Sequence, residues 1–288
     1  MADNAAHVTM LQRSPSYVFS LPAVDKLTAV LTKLMPERWA YGLARKRNIV
    51  IQRVLYTACR RWPQAMRRFL LSSVRKQVGP GVDMRHFTPK YMPWDERLCA
   101  VPDGDLFKVL RAGKASIATD HIDTFNASGI RLKSGQQLDA DIVVTATGLD
   151  LQMLGGIELV VDGTPRPLSG QMIYKGVLVQ DVPNLAWVFG YTNASWTLKS
   201  DLAGAYLTRL MRHMDQQGVD VVVPTDDEGN MLDQGMLDTL QSGYVQRAKE
   251  HMPRQGRNLP WKVLMSYAHD TRALIKSDVA DRNLRFSG

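Results

Sequence analysis

Several short stretches of this 288-residue chain combine residue types suited to a phosphorylated, anionic cofactor. Gln12-Arg13-Ser14-Pro15 follows directly on His7-Val8-Thr9-Met10-Leu11, an apolar run that reads as a short buried strand. In a Rossmann-type unit the end of the second strand meets the adenosine ribose; an acid there binds the 2′-hydroxyl of NAD, whereas an arginine accommodates the 2′-phosphate of NADP. Arg13 suits that phosphate, and Ser14 can add a hydroxyl hydrogen bond to it. Arg97 lies in Trp94-Asp95-Glu96-Arg97-Leu98-Cys99, an irregular stretch rich in aromatics and prolines from its start near His86. A permanent cation on such a loop can hold an anionic intermediate. The plain alternative for both arginines is a surface charge at a strand end or in a salt bridge.

Positioning these groups requires strands and helices whose ends meet a ligand. Asp139 to Gly156 is the organising stretch: Ile142, Val143 and Val144 are consecutive β-branched residues, the unbroken pattern expected of a parallel strand covered on both faces. Thr145-Ala146-Thr147-Gly148 then removes side-chain bulk where an open α/β sheet admits a dinucleotide or another backbone. Ser116 to Val144 reads as a meander feeding that strand, with Lys133-Ser134-Gly135 as a hairpin turn. Farther on, strands are expected at Ile173–Val179 and Leu185–Gly190. Tyr191-Thr192-Asn193-Ala194-Ser195-Trp196-Thr197 follows, and then an amphipathic helix from about Lys199 to Gln216 with Leu202, Ala205, Tyr206, Leu210 and Met214 on its apolar face. A strand, a glycine, a polar cap and a helix make an anion-receptive helix start, unless Asn193 or Ser195 caps it.

Between Leu21 and Gly81 the pattern is helical and basic, with Pro63 dividing two helices and Gly79-Pro80-Gly81 ending the unit. The net charge is +8, and eleven Lys or Arg residues lie between Arg38 and Val82 with no Asp or Glu among them. The rest of the chain is mildly acidic. Such a block is a solvated face, or it attracts a phosphorylated cofactor, an anionic membrane surface or nucleic acid. Trp39, Tyr41, Tyr56 and Trp62 among the arginines leave an interfacial role open beside that solvated face. Two cysteines, Cys59 and Cys99, are too few for a disulfide framework and point to a reducing cytoplasm. The six histidines lack the spacing of a metal site, so no metal is expected and most are read as surface residues. Neither a membrane span nor a signal peptide is expected from the apolar runs.

Taken together, His7 to Pro15, Pro93 to Asp105, Asp139 to Gly156 and Pro183 to Thr197 resemble the flavin-containing and Baeyer-Villiger monooxygenases, in particular the ethionamide-activating branch. The resemblance runs from residue 5 to about residue 285. Its most specific motifs are Trp94 to Cys99, Ala146-Thr147-Gly148 and Gly190 to Thr197. It implies an α/β fold of two dinucleotide-binding (Rossmann-like) domains, the NADP domain inserted into the FAD domain. Residues 1–148 would then be a remnant of the NADP domain with a helical insertion at 22–81, and residues 149–288 the carboxyl-terminal part of the FAD domain. By the same resemblance Arg13 and Ser14 contact the NADP 2′-phosphate, and Arg97 stabilises the flavin peroxide anion. Thr147 and Gly148 form the turn linking the NADP domain back to the FAD domain, and Asn193 and Ala194 face the flavin ring. Glu96 stands where several Baeyer-Villiger enzymes carry a lysine that assists NADP.

The implied activity is FAD- and NADPH-dependent monooxygenation. A flavin C4a peroxide made from dioxygen would attack a ketone, or oxidise the sulfur or nitrogen of a thioether or thioamide. The implied location is cytoplasmic, with a peripheral contact at the inner face of the cell membrane through the basic helices 38–76 and no nucleic-acid partner. No G-x-G-x-x-G occurs in the sequence, so the FAD fingerprint and the NADP phosphate loop are both missing. The chain therefore reads as an incomplete flavoprotein, with Met1 at the end of a phosphate-binding helix rather than at a domain boundary. A catalytically inactive remnant and a basic module that binds nucleic acid or an anionic surface are the alternatives.

Overall fold

The structure, a computed structural model, describes residues 1–96, 98–238, 240 and 242–288. It divides into two compact units, Met1–Thr147 and Gly148–Gly288.

In the first unit β1 (Val8–Gln12) lies parallel to β4 (Ala115–Thr119), and β2 (Val18–Leu21) lies parallel to β3 (Cys99–Pro102). Between β2 and β3 come the helices α1 (Lys26–Leu34), α2 (Glu37–Arg61) and α3 (Pro63–Val78). Asp25 caps α1 by accepting from the amide of Thr28. Pro36 and Glu37 open α2, and Pro63 occupies the first turn of α3, where its missing N–H costs nothing. Gly79 ends α3 at φ 79°, in the left-handed region that glycine enters without steric cost. The short helix α4 (Asp105–Arg111) follows Gly104, and the side chain of Asp103 accepts from the amide of Ala23. Val74, Val78, Phe87, Phe107 and Leu110 form the core beneath the helices. An antiparallel meander of β5 (Ile122–Asn126), β6 (Gly129–Leu132) and β7 (Gln137–Asp139) completes the unit, with the turn at Lys133-Ser134-Gly135.

The strand expected at Ile142–Val144 is not formed. Residues 140–150 run as irregular backbone, Ile142 is 81% exposed, and Val144 is exposed as well. A doubly covered inner strand needs a hydrogen-bonded neighbour on each side. The described strands of this unit pair among themselves and offer it none.

The second unit begins with the small hairpin β8 (Val160–Val161) and β9 (Thr164–Pro165), followed by the antiparallel pair β10 (Ile173–Tyr174) and β11 (Leu178–Val179). The expected strand at Leu185–Gly190 is reduced to a single bridge between Leu178 and Ala186. Helix α5 (Trp196–Gln217) starts earlier than its apolar periodicity indicates and ends at Gly218, φ 66°. Its buried face carries Leu202, Ala203, Tyr206 and Leu210; Ala205 points outward. The face packs on Met172, Tyr174, Trp261 and Leu274. β12 (Val221–Pro224) pairs with β15 (Leu284–Ser287), and β13 (Met231–Gly235) with β14 (Arg254–Gly256). Helix α6 spans Gly243–Ala248, and the last helix, α7 (Tyr267–Thr271), is continued by wide turns to Lys276. No described helix is long and apolar enough to cross a membrane.

Candidate functional site

In the first unit Arg13 and Ser14 stand exposed just past the carboxyl end of β1. The end of that strand is fixed by a polar cluster. Nε2 of Gln12 donates to the carbonyl of His86 and to Oγ1 of Thr119, each at 2.8 Å, and Oγ1 of Thr119 lies 2.7 Å from Nδ1 of His86. Thr119 accepts from Gln12 and shares its second hydrogen bond with Nδ1 of His86. Burial is the main cause holding the His86 pKa below its ordinary 6.5; Arg85 adds to the effect and Asp83 opposes it. His86 is buried, whereas most of the six histidines were expected at the surface.

Arg13 also lies close enough to Glu96 to act on its charge: burial raises the Glu96 pKa, Arg13 counters that, and Asp95 reinforces it. The loop around Glu96 is anchored on α2. Oδ1 of Asp95 pairs with Arg60 at 2.9 Å, Oδ2 accepts from the amide of Met92, and Trp94 packs edge-on against Tyr56 with ring centroids 5.4 Å apart. Arg67 of α3 donates at 2.8 Å to the hydroxyl of Tyr17 and also to the carbonyl of Tyr91. Part of the basic block therefore holds this loop in place. Arg97 itself lies outside the described residues. Thr147 and Gly148 are exposed and flank the division between the two units, with Gly148 at φ 107°.

In the second unit Asn193 and Ala194 sit half-buried just before α5. Neither capping alternative is realised. Ser195 occupies the cap position, but its Oγ pairs with Oγ1 of Thr197 at 2.8 Å and makes no cap bond, while Nδ2 of Asn193 donates to the carbonyl of Met265 at 3.1 Å. The amides of the first turn are thus not taken by a side chain, which leaves the helix start receptive to an anionic group.

Directly below lies a charged cluster that the sequence reading missed. Nζ of Lys199 donates to Oδ2 of Asp270 at 2.8 Å, and the hydroxyl of Tyr191 donates to the same oxygen at 2.7 Å. Lys199 and Asp270 are both buried, and so is Tyr191. Burial, and then the charge of Asp270, hold the Tyr191 hydroxyl far above the ordinary phenol range, so it remains a donor. Gly176 makes room for the ammonium group: it sits at φ 66°, and a Cβ there would fall 2.8 Å from Nζ. A narrow cleft lined by Trp187, Phe189, Met236 and Met265 adjoins the cluster. One signal in the sequence was legible. Lys199 lies three positions before Leu202 on the apolar face of α5, where a lysine must find a partner or leave the core.

The described residues contain no group of acidic, histidine or cysteine side chains able to hold a metal. No protein-family model matches the chain. Curated relatives do match it. MymA of Mycobacterium tuberculosis, named a FAD-containing monooxygenase, is 60% identical over 284 residues, covering 99% of this chain and 57% of its own length. AlmA of Acinetobacter baylyi, named a FAD-binding monooxygenase, is 51% identical over 282 residues, 98% of this chain and 57% of AlmA. EthA of M. tuberculosis, named a FAD-containing monooxygenase, is 44% identical over 289 residues, 100% of this chain and 59% of EthA. Among solved structures, a steroid monooxygenase bound to NADP superposes with a TM-score of 0.70 at 16% identity, over 99% of this chain and 63% of that one. A cyclohexanone monooxygenase with cyclohexanone bound gives a TM-score of 0.61 at 16% identity, over 100% and 63%. These likenesses show a shared α/β flavoprotein fold. The chain spans a little under three-fifths of the length of the curated relatives it matches, and over that span it is similar to proteins named FAD-containing or FAD-binding monooxygenases.

Proposed function

We propose that the chain is the NADP-reading and flavin-facing portion of an FAD- and NADPH-dependent monooxygenase. Such an enzyme adds one oxygen atom of dioxygen to a ketone in the Baeyer-Villiger sense, or to the sulfur or nitrogen of a thioether or thioamide. The observation that carries this reading is the 60% identity to MymA across 99% of the chain. The cyclohexanone in one fold relative supports the ketone class. In this reading residues 1–148, with the helical insertion 22–81, belong to an NADP domain, and residues 149–288 are the carboxyl-terminal part of a FAD domain. Each is an incomplete Rossmann-like unit.

The residues present fit the cofactors in part. Arg13 and Ser14, held at the end of β1 by the Gln12–Thr119–His86 cluster, suit a ribose phosphate; Glu96 beside Arg13 opposes such an anion and tempers the fit. The uncapped start of α5 behind Asn193 and Ala194 suits an electron-rich ring edge. The pyrophosphate of FAD finds no glycine-rich cradle among these residues, since the sequence holds no G-x-G-x-x-G. FAD, when bound, supplies dioxygen activation, and NADPH supplies the electrons. The chain's own part is to read the phosphate at Arg13 and Ser14, to orient the ring edge at Asn193 and Ala194, and to place the fixed cation of Arg97 beside developing negative charge. Thr147 and Gly148 carry the backbone between the two domains. A cytoplasmic setting accords with Cys59 and Cys99 as free thiols, and a peripheral contact with the inner membrane face through helices 38–76 belongs to the same proposal.

Co-expression of the chain with the part of MymA outside the match tests the reading by NADPH-dependent oxygen uptake. Uptake stimulated by a thioether or cyclic ketone is expected. A flavin-loaded complex that consumes neither NADPH nor oxygen would leave the inactive remnant as the better reading.

A further inference from the structure

The helical insertion exposes apolar side chains in an ordered line. On α2, Trp39, Leu43, Val50 and Val54 follow one another at spacings of four, seven and four residues, which places them on one stripe of the helix. Trp39 is 60% exposed and Val54 61%, and the two between them are comparably bare. The stripe runs about 22 Å along the axis at 1.5 Å per residue. On α1, Leu27, Val30 and Leu34 recur at spacings of three and four and are all exposed; no residue of that helix is buried. The two helices pack together, and Asp25, which caps α1, pairs with Arg47 of α2. Trp62 and Phe69, at the start and middle of α3, are exposed too.

Cations border this apolar surface. Lys46 and Arg53 sit one helical step to the side of the α2 stripe, Arg61 continues its line, and Arg68 precedes Phe69; all four are exposed. Arg60 and Arg67, by contrast, hold the loop that contains Asp95 and Tyr91. From Arg38 to Val82 no acidic residue dilutes the charge. An occupant must therefore accept aliphatic side chains and offer negative charge over the same area. Nucleic acid satisfies the second requirement and has nothing for Leu43 or Val54. A second copy of the chain would set cation against cation.

We propose that the outward face of α1 and α2, with Trp62 and Phe69 of α3, seats on an anionic lipid bilayer. The apolar stripe enters the headgroup–acyl boundary, Trp39, Tyr41 and Trp62 lie at headgroup level, and Lys46, Arg53, Arg61 and Arg68 contact lipid phosphates. The proposal rests on the peripheral membrane contact inferred above and names its surface and its lipid. Vesicle binding requires neither flavin nor NADPH, so its failure leaves the oxygenation chemistry standing.

The test is co-sedimentation of the chain with vesicles of phosphatidylcholine alone and of phosphatidylcholine containing phosphatidylglycerol, at low and high salt. Retention is expected only on the anionic vesicles, falling with salt. Lys46→Gln with Arg53→Gln should lower partitioning about 25-fold, at roughly fivefold per basic residue near the surface. Leu43→Ser with Val54→Ser should lower it about tenfold or more. Circular dichroism should be unchanged in both variants, because all four positions are exposed. No retention on anionic vesicles overturns the proposal, as does retention indifferent to Leu43→Ser with Val54→Ser. Binding to duplex DNA of equal strength and equal indifference would reassign the face to nucleic acid. Self-association abolished by the apolar substitutions, without vesicle binding, would reassign it to a second copy.

Discussion

At the residue scale the account turns on Arg13 and the side chains that hold it. Arg13→Ala in the assembled enzyme should raise the KM for NADPH roughly 10- to 100-fold while leaving that for NADH nearly unchanged, since a charge-assisted bond to a phosphate contributes about 1.5–3 kcal/mol. Steady-state kinetics with the two nucleotides checks this, and equal effects on both would remove Arg13 from the phosphate site. His86 makes a second prediction, about pH. Its folded-state pKa lies below the ordinary 6.5, chiefly through burial. Its contribution to stability is therefore complete above the unfolded value and is lost as pH falls through the folded one. Urea midpoints should fall more steeply below pH 6.5 in the wild type than in His86→Gln. Parallel curves would mean that His86 does not titrate with unfolding. The position of Arg13 just past a strand end was legible because the apolar run before it is a local pattern. The Gln12–Thr119–His86 cluster was not, because its members are 74 and 107 residues from Gln12 along the chain.

At the scale of elements, α5 carries the argument. Its apolar repeat was readable, as were the break at Pro63 and the end of α3 at Gly79, because each depends on neighbours within a turn or two. The Ile142–Val144 strand was misread for the opposite reason. Consecutive β-branched residues state a preference, but a strand exists only where another strand bonds to it, and no described strand reaches this one. The start of α5 was placed three residues late because Trp196 and Thr197 are exposed and leave no mark on the apolar period. The Lys199–Asp270–Tyr191 cluster ties that start to α7, 71 residues farther on, beyond the reach of periodicity. Lys199→Met should destabilise the chain by about 3–5 kcal/mol, because it leaves the buried Asp270 carboxylate without its cation. Lys199→Met with Asp270→Leu should recover much of that loss. Equilibrium denaturation measures both, and a loss under about 1 kcal/mol in the single variant would show the pair to be dispensable.

At the scale of the whole molecule, the chain divides between Thr147 and Gly148 into two compact units, and the proposal assigns each of them part of a cofactor site. The likeness to FAD-containing monooxygenases was legible from the combination of motifs around Arg97, Thr147 and Asn193, although Arg97 lies outside the described residues. What such motifs cannot supply is the glycine-rich turn on which a flavin pyrophosphate rests, and the sequence has none. In the proposed reading, the start of α5 and the corner at Arg13 engage the cofactors only with that turn provided by further polypeptide. The most direct test is the flavin content, by visible absorbance, of the chain purified alone and after co-expression with the part of MymA outside the match. The account predicts far less than one flavin per chain alone and close to one in the complex; stoichiometric flavin on the chain alone, or none in a complex that has formed, would contradict it.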